Sequence, residues 1–131
     1  MQFLPRHRWL DRISAAIAHH PVTVLLGPRQ CGKTTLARQV TGRRKVHWFD
    51  LEVASQRAAL ENPELALSEL EGLVVVDEAQ RQPALFSVLR TLVDRPGRRA
   101  KFLLLASASP ALVKGVTESL AGRAHFIELS G

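Results

Sequence analysis

Cysteine is almost missing from this 131-residue chain, which has one. A lone thiol excludes an intramolecular disulfide framework and a four-cysteine zinc site. Aromatic residues make up only 5%, and tyrosine is absent. Basic and aromatic residues are not interleaved along the sequence, which speaks against a stacking platform for single-stranded nucleic acid. Long apolar runs are lacking too. Val22–Leu26 and residues 102–106 are among the longest, far below the roughly 20 residues that a membrane helix needs. The start, Met1-Gln2-Phe3-Leu4-Pro5-Arg6, carries no apolar stretch leading to a cleavage site, so a secretory signal is not expected. No repeat, low-complexity segment or long linker interrupts the chain. The expectation is a soluble cytoplasmic protein with no membrane partner.

What is present fits one domain with a real core. Hydrophobic residues reach 46%, which excludes a mostly disordered chain. A chain of this length buries roughly two-thirds of the surface its unfolded form exposes. The formal net charge is +6, and it is unevenly spread. Between Asp50 and Glu78 lie eight acids and one base, Arg57, leaving 17 bases and four acids elsewhere. Arg6/Arg8/Arg12, Arg43/Arg44/Lys45 and Arg95/Arg98/Arg99/Lys101 form small basic clusters. Such clusters suit a polyanion, but a solvated surface is the plainer reading of any one of them, since basic clusters alone are weak evidence.

Short apolar runs alternate with helical patterns. Val22–Leu26 and residues 45–49, 73–76, 102–106 and 124–129 read as strands. Near-continuous apolar runs of this length fit strands covered on both faces, as in a parallel sheet. Residues 9–19, 33–40, 53–60 and 84–93 read as helices, and residues 110–114 open another short one. Leu85, Val88, Leu89 and Leu92 draw the clearest helical stripe. Asn62-Pro63 reads as a helix stop. Strands alternating with helices predict an α/β domain with a mostly parallel sheet. Ligands of such sheets sit beyond the carboxyl ends of the strands, here after Leu26, Val76 and Ala106.

The segment after the first strand is Gly27-Pro28-Arg29-Gln30-Cys31-Gly32-Lys33-Thr34-Thr35. It satisfies G-x-x-x-x-G-K-[ST], the Walker A phosphate loop, with a strand before it and a helix after it. Gly27 and Gly32 let the backbone wrap close to phosphate oxygens. Successive N–H groups, from Pro28's neighbours through Arg29, Gln30 and Cys31, then face the anion with the helix N-terminus behind them. Lys33 supplies a point charge for the β- and γ-phosphates. Thr34 offers its hydroxyl to Mg²⁺, and Thr35 is placed for the α-phosphate. Cys31 reads as a loop filler.

The third strand delivers two adjacent acids, Asp77 and Glu78, at its carboxyl end. With a phosphate loop in the same chain, Asp77 is the expected Mg²⁺ holder and Glu78 the group that orients and deprotonates an attacking water. Ser107 ends the fourth strand, where it either contacts the γ-phosphate or water, or simply forms the turn before Pro110. Arg123, before the fifth strand, is either a γ-phosphate contact donated to a neighbouring subunit or a surface arginine. Asp50 reads more readily as a cap or turn residue. His47 and His125 share no ligand spacing with each other or with Cys31, so no metal beyond Mg²⁺ is expected.

Residues 27–35, 74–81 (Val-Val-Val-Asp-Glu-Ala-Gln-Arg), 103–107 and 119–129 (Ser-Leu-Ala-Gly-Arg-Ala-His-Phe-Ile-Glu-Leu) together resemble a prokaryotic AAA+-like P-loop ATPase family. In that group the N-terminal ATPase domain normally precedes a C-terminal domain of uncharacterised function. The resemblance spans nearly the whole chain. It implies a three-layer P-loop NTPase fold of the ASCE type, with five strands in the order 5-1-4-3-2. It also implies a first-sensor role for Ser107 and a finger-type role for Arg123. Relatives continue past the position of Gly131, so a single ATPase domain truncated before its C-terminal domain is expected.

The function expected from these residues is Mg²⁺-dependent binding and hydrolysis of ATP, coupled to an attached or partner domain, with a homo-oligomer in view. A nucleotide-dependent switch with little hydrolysis in isolation is the second reading. A nucleic-acid motor is the third. Asp77-Glu78-Ala79-Gln80 looks like a helicase motif, but 131 residues cannot hold the second motor lobe, which leaves simple nucleic-acid association. A small-molecule kinase is a distant fourth. ATP rather than GTP follows from the resemblance and from the lack of an Asn-Lys-x-Asp run.

Overall fold

The computed structural model describes residues 5–28, 32–42, 44–97, 100–107 and 109–129. Helix α1 (Arg6–His19) leads into strand β1 (Val22–Leu26), followed by α2 (Lys33–Thr41) and β2 (Val46–Asp50). Two short helices, α3 (Ala54–Ala59) and α4 (Pro63–Leu67), precede β3 (Gly72–Asp77). A 3-10 turn (Ala79–Arg81) and α5 (Ala84–Asp94) come before β4 (Ala100–Ala106), α6 (Pro110–Leu120) and β5 (Ala124–Glu128).

All five strands are parallel, in the order β2-β3-β4-β1-β5, which is the expected 5-1-4-3-2 seen from the other side. β4 therefore separates the phosphate-loop strand from the acidic strand. The step from β1 to β2 runs one way across the sheet, and every later step runs back. Right-handed crossovers then put α2 on one face and α3–α6 on the other. The side-chain packing agrees. Ile13, Ile17, Leu36 and Ala37 pack with Leu25, Val75, Leu103 and Leu105 on one face. Leu60, Leu67, Leu85, Leu89, Leu112 and Val116 pack with Val24, Val74, Val76 and Leu104 on the other. The three central strands are almost wholly buried, as their unbroken apolar runs require. Edge strands β2 and β5 are mostly half-buried.

The structure moves three expected boundaries outward by two residues or more and adds one α-helix. α6 does not stop at residue 114 but continues through Gly115 to Leu120. A glycine inside a helix costs about 1 kcal/mol. Burial of Leu112, Val116 and Leu120 at four-residue intervals outweighs it, and the Ser109 hydroxyl accepts from Leu112 N at 3.1 Å to cap the start. α1 begins at Arg6 and β4 at Ala100, both earlier than expected. Asn62-Pro63 ends one helix and begins another: Asn62 Oδ1 caps Leu65 N at 3.2 Å, and Pro63 occupies the first turn of α4.

Candidate nucleotide-binding site

β1 is buried along its whole length, so the chain leaves the sheet at a fixed point. Gly27 N donates to Ala106 O at 3.3 Å, pinning the start of the loop to β4. Gly32 returns the chain to helix with φ +95°, a left-handed conformation that a side chain would strain. α2 then starts at Lys33, and Leu36 N donates to Gly32 O at 2.9 Å. Arg29, Gln30 and Cys31 lie outside the described residues.

Lys33 is buried, with 6% of its surface exposed. Its Nζ donates to Gly27 O at 2.8 Å and to Pro28 O at 2.7 Å. The ammonium is thus folded back onto carbonyls of its own loop, which satisfies a charge that burial would otherwise penalise. One helical position on, Thr34 Oγ1 donates to Asp77 Oδ2 at 2.9 Å, joining the loop to the end of β3. Asp77 is 8% exposed. Burial pushes its carboxyl above the ordinary value, and the Asp50 and Glu78 carboxylates push it the same way, while the Thr34 hydroxyl works against them. Asp50 lies directly across from Asp77 in the β2–β3 register, and it caps its own turn by accepting from Glu52 N at 3.0 Å.

Glu78 sits at φ +58°, ψ +48°, the one non-glycine residue with positive φ among the described residues. A left-handed conformation costs a side-chain-bearing residue about 1–2 kcal/mol, and such strain clusters where a side chain must be aimed. The Glu78 carboxylate Oε2 accepts a hydrogen bond from Gln80 Nε2 within the 3-10 turn. Gln80 Oε1 is buried and makes no hydrogen bond. Ser107, just past β4, also has a buried Oγ with no partner. Gly32, Lys33, Thr34, Thr35, Asp77 and Glu78 line one cleft of about 240 Å³.

The structure thus brings together Gly32, Lys33, Thr34, Thr35, Asp77 and Glu78, with Gly27 and Pro28 bound to Lys33. Ser107 leaves the strand between β1 and β3. Arg123 is elsewhere. It precedes β5, whose five residues run parallel to β1, so it lies at the amino edge of the sheet. At about 3.3 Å per residue that is on the order of 16 Å from the loop. There its guanidinium forms a two-pronged pair with Asp94, through Nε at 2.8 Å and Nη2 at 2.7 Å, and Nη1 donates to Ala121 O at 2.8 Å. Arg123 therefore does not reach the cleft of its own chain. Gln80 is the contact that sequence reasoning passed over. The motif containing it was visible, but nothing in spacing alone tells that its amide turns back onto Glu78.

Oxygen donors at Thr34 and Asp77 fit Mg²⁺, a hard cation that takes one or two carboxylates and keeps the rest of its shell for water and phosphate. No group of three or more His, Cys, Asp or Glu side chains suited to a metal occurs among the described residues.

Residues 19–131 match the family model described as an AAA domain. The chain belongs to the AAA domain family. This AAA domain is 53% identical over 120 residues to uncharacterized proteins of Mycobacterium tuberculosis and Mycobacterium bovis. The match takes in 92% of the chain but 27% of each relative, so the chain spans about a quarter of their length. A solved structure, the Walker-type ATPase PABY2304 of Pyrococcus abyssi, superposes with a TM-score of 0.68. The superposition covers 98% of this chain and 54% of that one, at 16% identity, and establishes the shared P-loop NTPase fold. Family and fold together make this a nucleotide-binding domain. No helix among the described residues is long and apolar enough to cross a membrane.

Proposed function

We propose that this AAA domain binds ATP with Mg²⁺ and hydrolyses its β–γ bond, and that it acts in the cytoplasm. The observation that carries this reading is the single cleft in which Lys33, the Thr34–Asp77 pair and Glu78 converge at the carboxyl ends of β1 and β3. Loop amides and the α2 N-terminus hold the triphosphate, from Gly27 to Thr35. Lys33 exchanges the Gly27 and Pro28 carbonyls for phosphate oxygens. Thr34 and Asp77 hold Mg²⁺, which when bound neutralises developing phosphate charge. Glu78 orients and deprotonates the attacking water, and the unpartnered hydroxyl of Ser107 hydrogen-bonds the water or the γ-phosphate. Arg123 serves a neighbouring copy, since its own cleft is out of reach. Residues 1–131 act as one ATPase domain whose cycle is coupled to an attached or partner domain. ATP rather than GTP follows from the family and from the lack of an Asn-Lys-x-Asp run.

A second reading is a nucleotide-dependent switch with little hydrolysis in isolation. Two contacts favour it: Gln80 occupies the Glu78 carboxylate, and Asp94 occupies Arg123. The test measures Mg-ATP affinity and phosphate release for this chain and for a version extended past Gly131. Hydrolysis in either, lost with Lys33→Ala, supports the ATPase. Binding without turnover in both supports the switch. Absence of binding in both overturns the two readings together.

A further inference from the structure

The two helical layers differ sharply in charge. α1 and α2 carry Arg6, Arg8, Arg12, Lys33 and Arg38 against one acid, Asp11. α3–α6 balance Arg57, Arg90 and Lys114 against Glu64, Asp94 and Glu118. Arg44 and Lys45 extend the first layer at its rim, in the turn from α2 to β2. Arg6, Arg8, Arg12, Arg38, Arg44 and Lys45 are all exposed, and among the described residues none of the six pairs with a carboxylate. Two basic clusters that lie far apart in sequence thereby become one surface.

Three contacts organise this surface. Arg12 lies over the Trp9 ring at 5.1 Å, and Arg38 over the Trp48 ring at 4.2 Å. Arg6 Nη1 donates to Gln39 Oε1 at 2.7 Å, tying α1 to α2. A guanidinium held flat on an indole has lost much of its rotational freedom before any partner arrives. It keeps N–H groups at its edge for a planar, two-pronged acceptor. The indole faces beneath are already covered, so bases cannot stack on them. We infer that the α1/α2 face binds the phosphate backbone of duplex nucleic acid, without reading its sequence.

A membrane surface fits less well. Five of the six bases are arginine. Val53 and Leu65 are the exposed large hydrophobic residues among those described, and they belong to the opposite side of the fold. Among the described residues, the α1/α2 face offers no exposed large apolar side chain as a wedge for lipid. The site is independent of the proposed hydrolysis, although both share α2. That helix starts at the cleft with Lys33 and Thr34 and carries Arg38 about 7 Å farther along its axis.

Binding of a fluorescein-labelled 20-base-pair DNA duplex, followed by anisotropy between 50 and 200 mM salt, tests the assignment. Affinity should fall steeply with salt, with a logarithmic slope of about −4 for four to five phosphates. Arg12→Glu with Arg38→Glu should weaken binding at least tenfold. Arg90→Glu with Lys114→Glu changes net charge equally on the other layer and should leave it within about twofold. Arg8→Glu with Lys45→Glu touches neither tryptophan and should also weaken binding, which separates contact loss from unfolding. Intrinsic fluorescence gives a second readout, because Trp9 and Trp48 are the only tryptophans in the sequence. A duplex RNA of the same length, bound equally or more tightly, would assign the same face to A-form backbone. Equal losses from both layers, no duplex binding at 50 mM salt, or binding of vesicles with 30% anionic lipid in place of duplex would each overturn the proposal.

Discussion

The two edges of the sheet treat polar groups in opposite ways. At the amino edge the charged groups are closed off, and Thr23 Oγ1 near the start of β1 is the buried atom left without a partner among the described residues there. Arg123 is held by Asp94 and Ala121 O, Val22 N donates to Arg123 O at 3.2 Å, and Lys101 Nζ caps the end of α1 through Ile17 O at 2.7 Å and Ala18 O at 2.6 Å. At the carboxyl edge they are left with capacity to spare. Ser107 Oγ and Gln80 Oε1 are buried without partners, Glu78 is held in a strained conformation, and Asp77 is crowded by two carboxylates. Native proteins rarely leave buried polar atoms unpaired, and a cluster of them beside a strained residue marks a place built for something else to bind. The same parallel sheet thus ends in structural contacts on one side and in the candidate nucleotide-binding cleft on the other.

The contrast is broken most severely at Glu78. Replacing it with glutamine should reduce phosphate release by about 10²–10⁴-fold while Mg-ATP affinity stays near wild type. Replacing it with glycine should remove the same activity yet hold or raise the thermal midpoint, because glycine adopts positive φ without the roughly 1 kcal/mol penalty. A Glu78→Gly protein that melts well below wild type would show that this edge is not strained for function. Retained hydrolysis in Glu78→Gln would remove Glu78 as the base.

A smaller change separates holding from helping. The Gln80 amide bonds the Glu78 carboxylate that is proposed to meet water, so on that proposal the contact competes with the water. Gln80→Ala should therefore raise basal phosphate release several-fold in a steady-state assay. A fall instead would make Gln80 a residue that positions Glu78 for the reaction.

Much of this was legible from residue order, and for identifiable reasons. Central strands such as Val22–Leu26 are buried on both faces, so composition alone marks them. The phosphate loop is a local device: a turn with glycines at fixed offsets, Lys33, Thr34, and a helix starting at once. Asp77 is fixed by the end of an apolar strand. Contacts between distant segments were not legible. The pairing of Arg123 with Asp94 spans 29 positions, and the Arg6–Gln39 tie spans 33. The Arg38–Trp48 stack depends on α2 lying over edge strand β2, which follows from topology rather than spacing. That is why scattered arginines read as solvated clusters and emerged as one surface only in three dimensions. Helix α4 was missed for a local reason, since Asn-Pro both stops and starts helices.

At the amino edge, Asp94→Ala should lower the thermal midpoint only slightly, because the pair is partly exposed and screened by solvent. Mg-ATP affinity should not change, since the cleft lies at the other end of the strands. If Arg123 serves a neighbouring copy, Arg123→Ala should lower turnover only at protein concentrations where chains associate. An equal loss at every dilution would return the effect to the chain's own stability.

The smallest effect expected is the pH response of this edge. His20, just after α1, stacks on His125 of β5 with ring centroids 4.6 Å apart. Burial holds the His20 imidazole below its ordinary value of 6.5, and His125, His19 and Lys101 add to the shift. The unfolded chain therefore takes up a proton at a higher pH than the folded one. Stability from the neutral stack is complete above pH 6.5 and declines as pH falls from there toward the lowered folded-state value. His20→Gln should flatten the pH dependence of the thermal midpoint across that window and lower the midpoint slightly at pH 8, where the stack contributes in full. An identical slope in the variant would show that the His20–His125 stack does not carry the acid sensitivity. At the carboxyl edge Asp77 predicts the opposite sign: its raised carboxyl favours the folded state as pH falls, so a midpoint that rises on acidification would report Asp77 and not the stacked histidines.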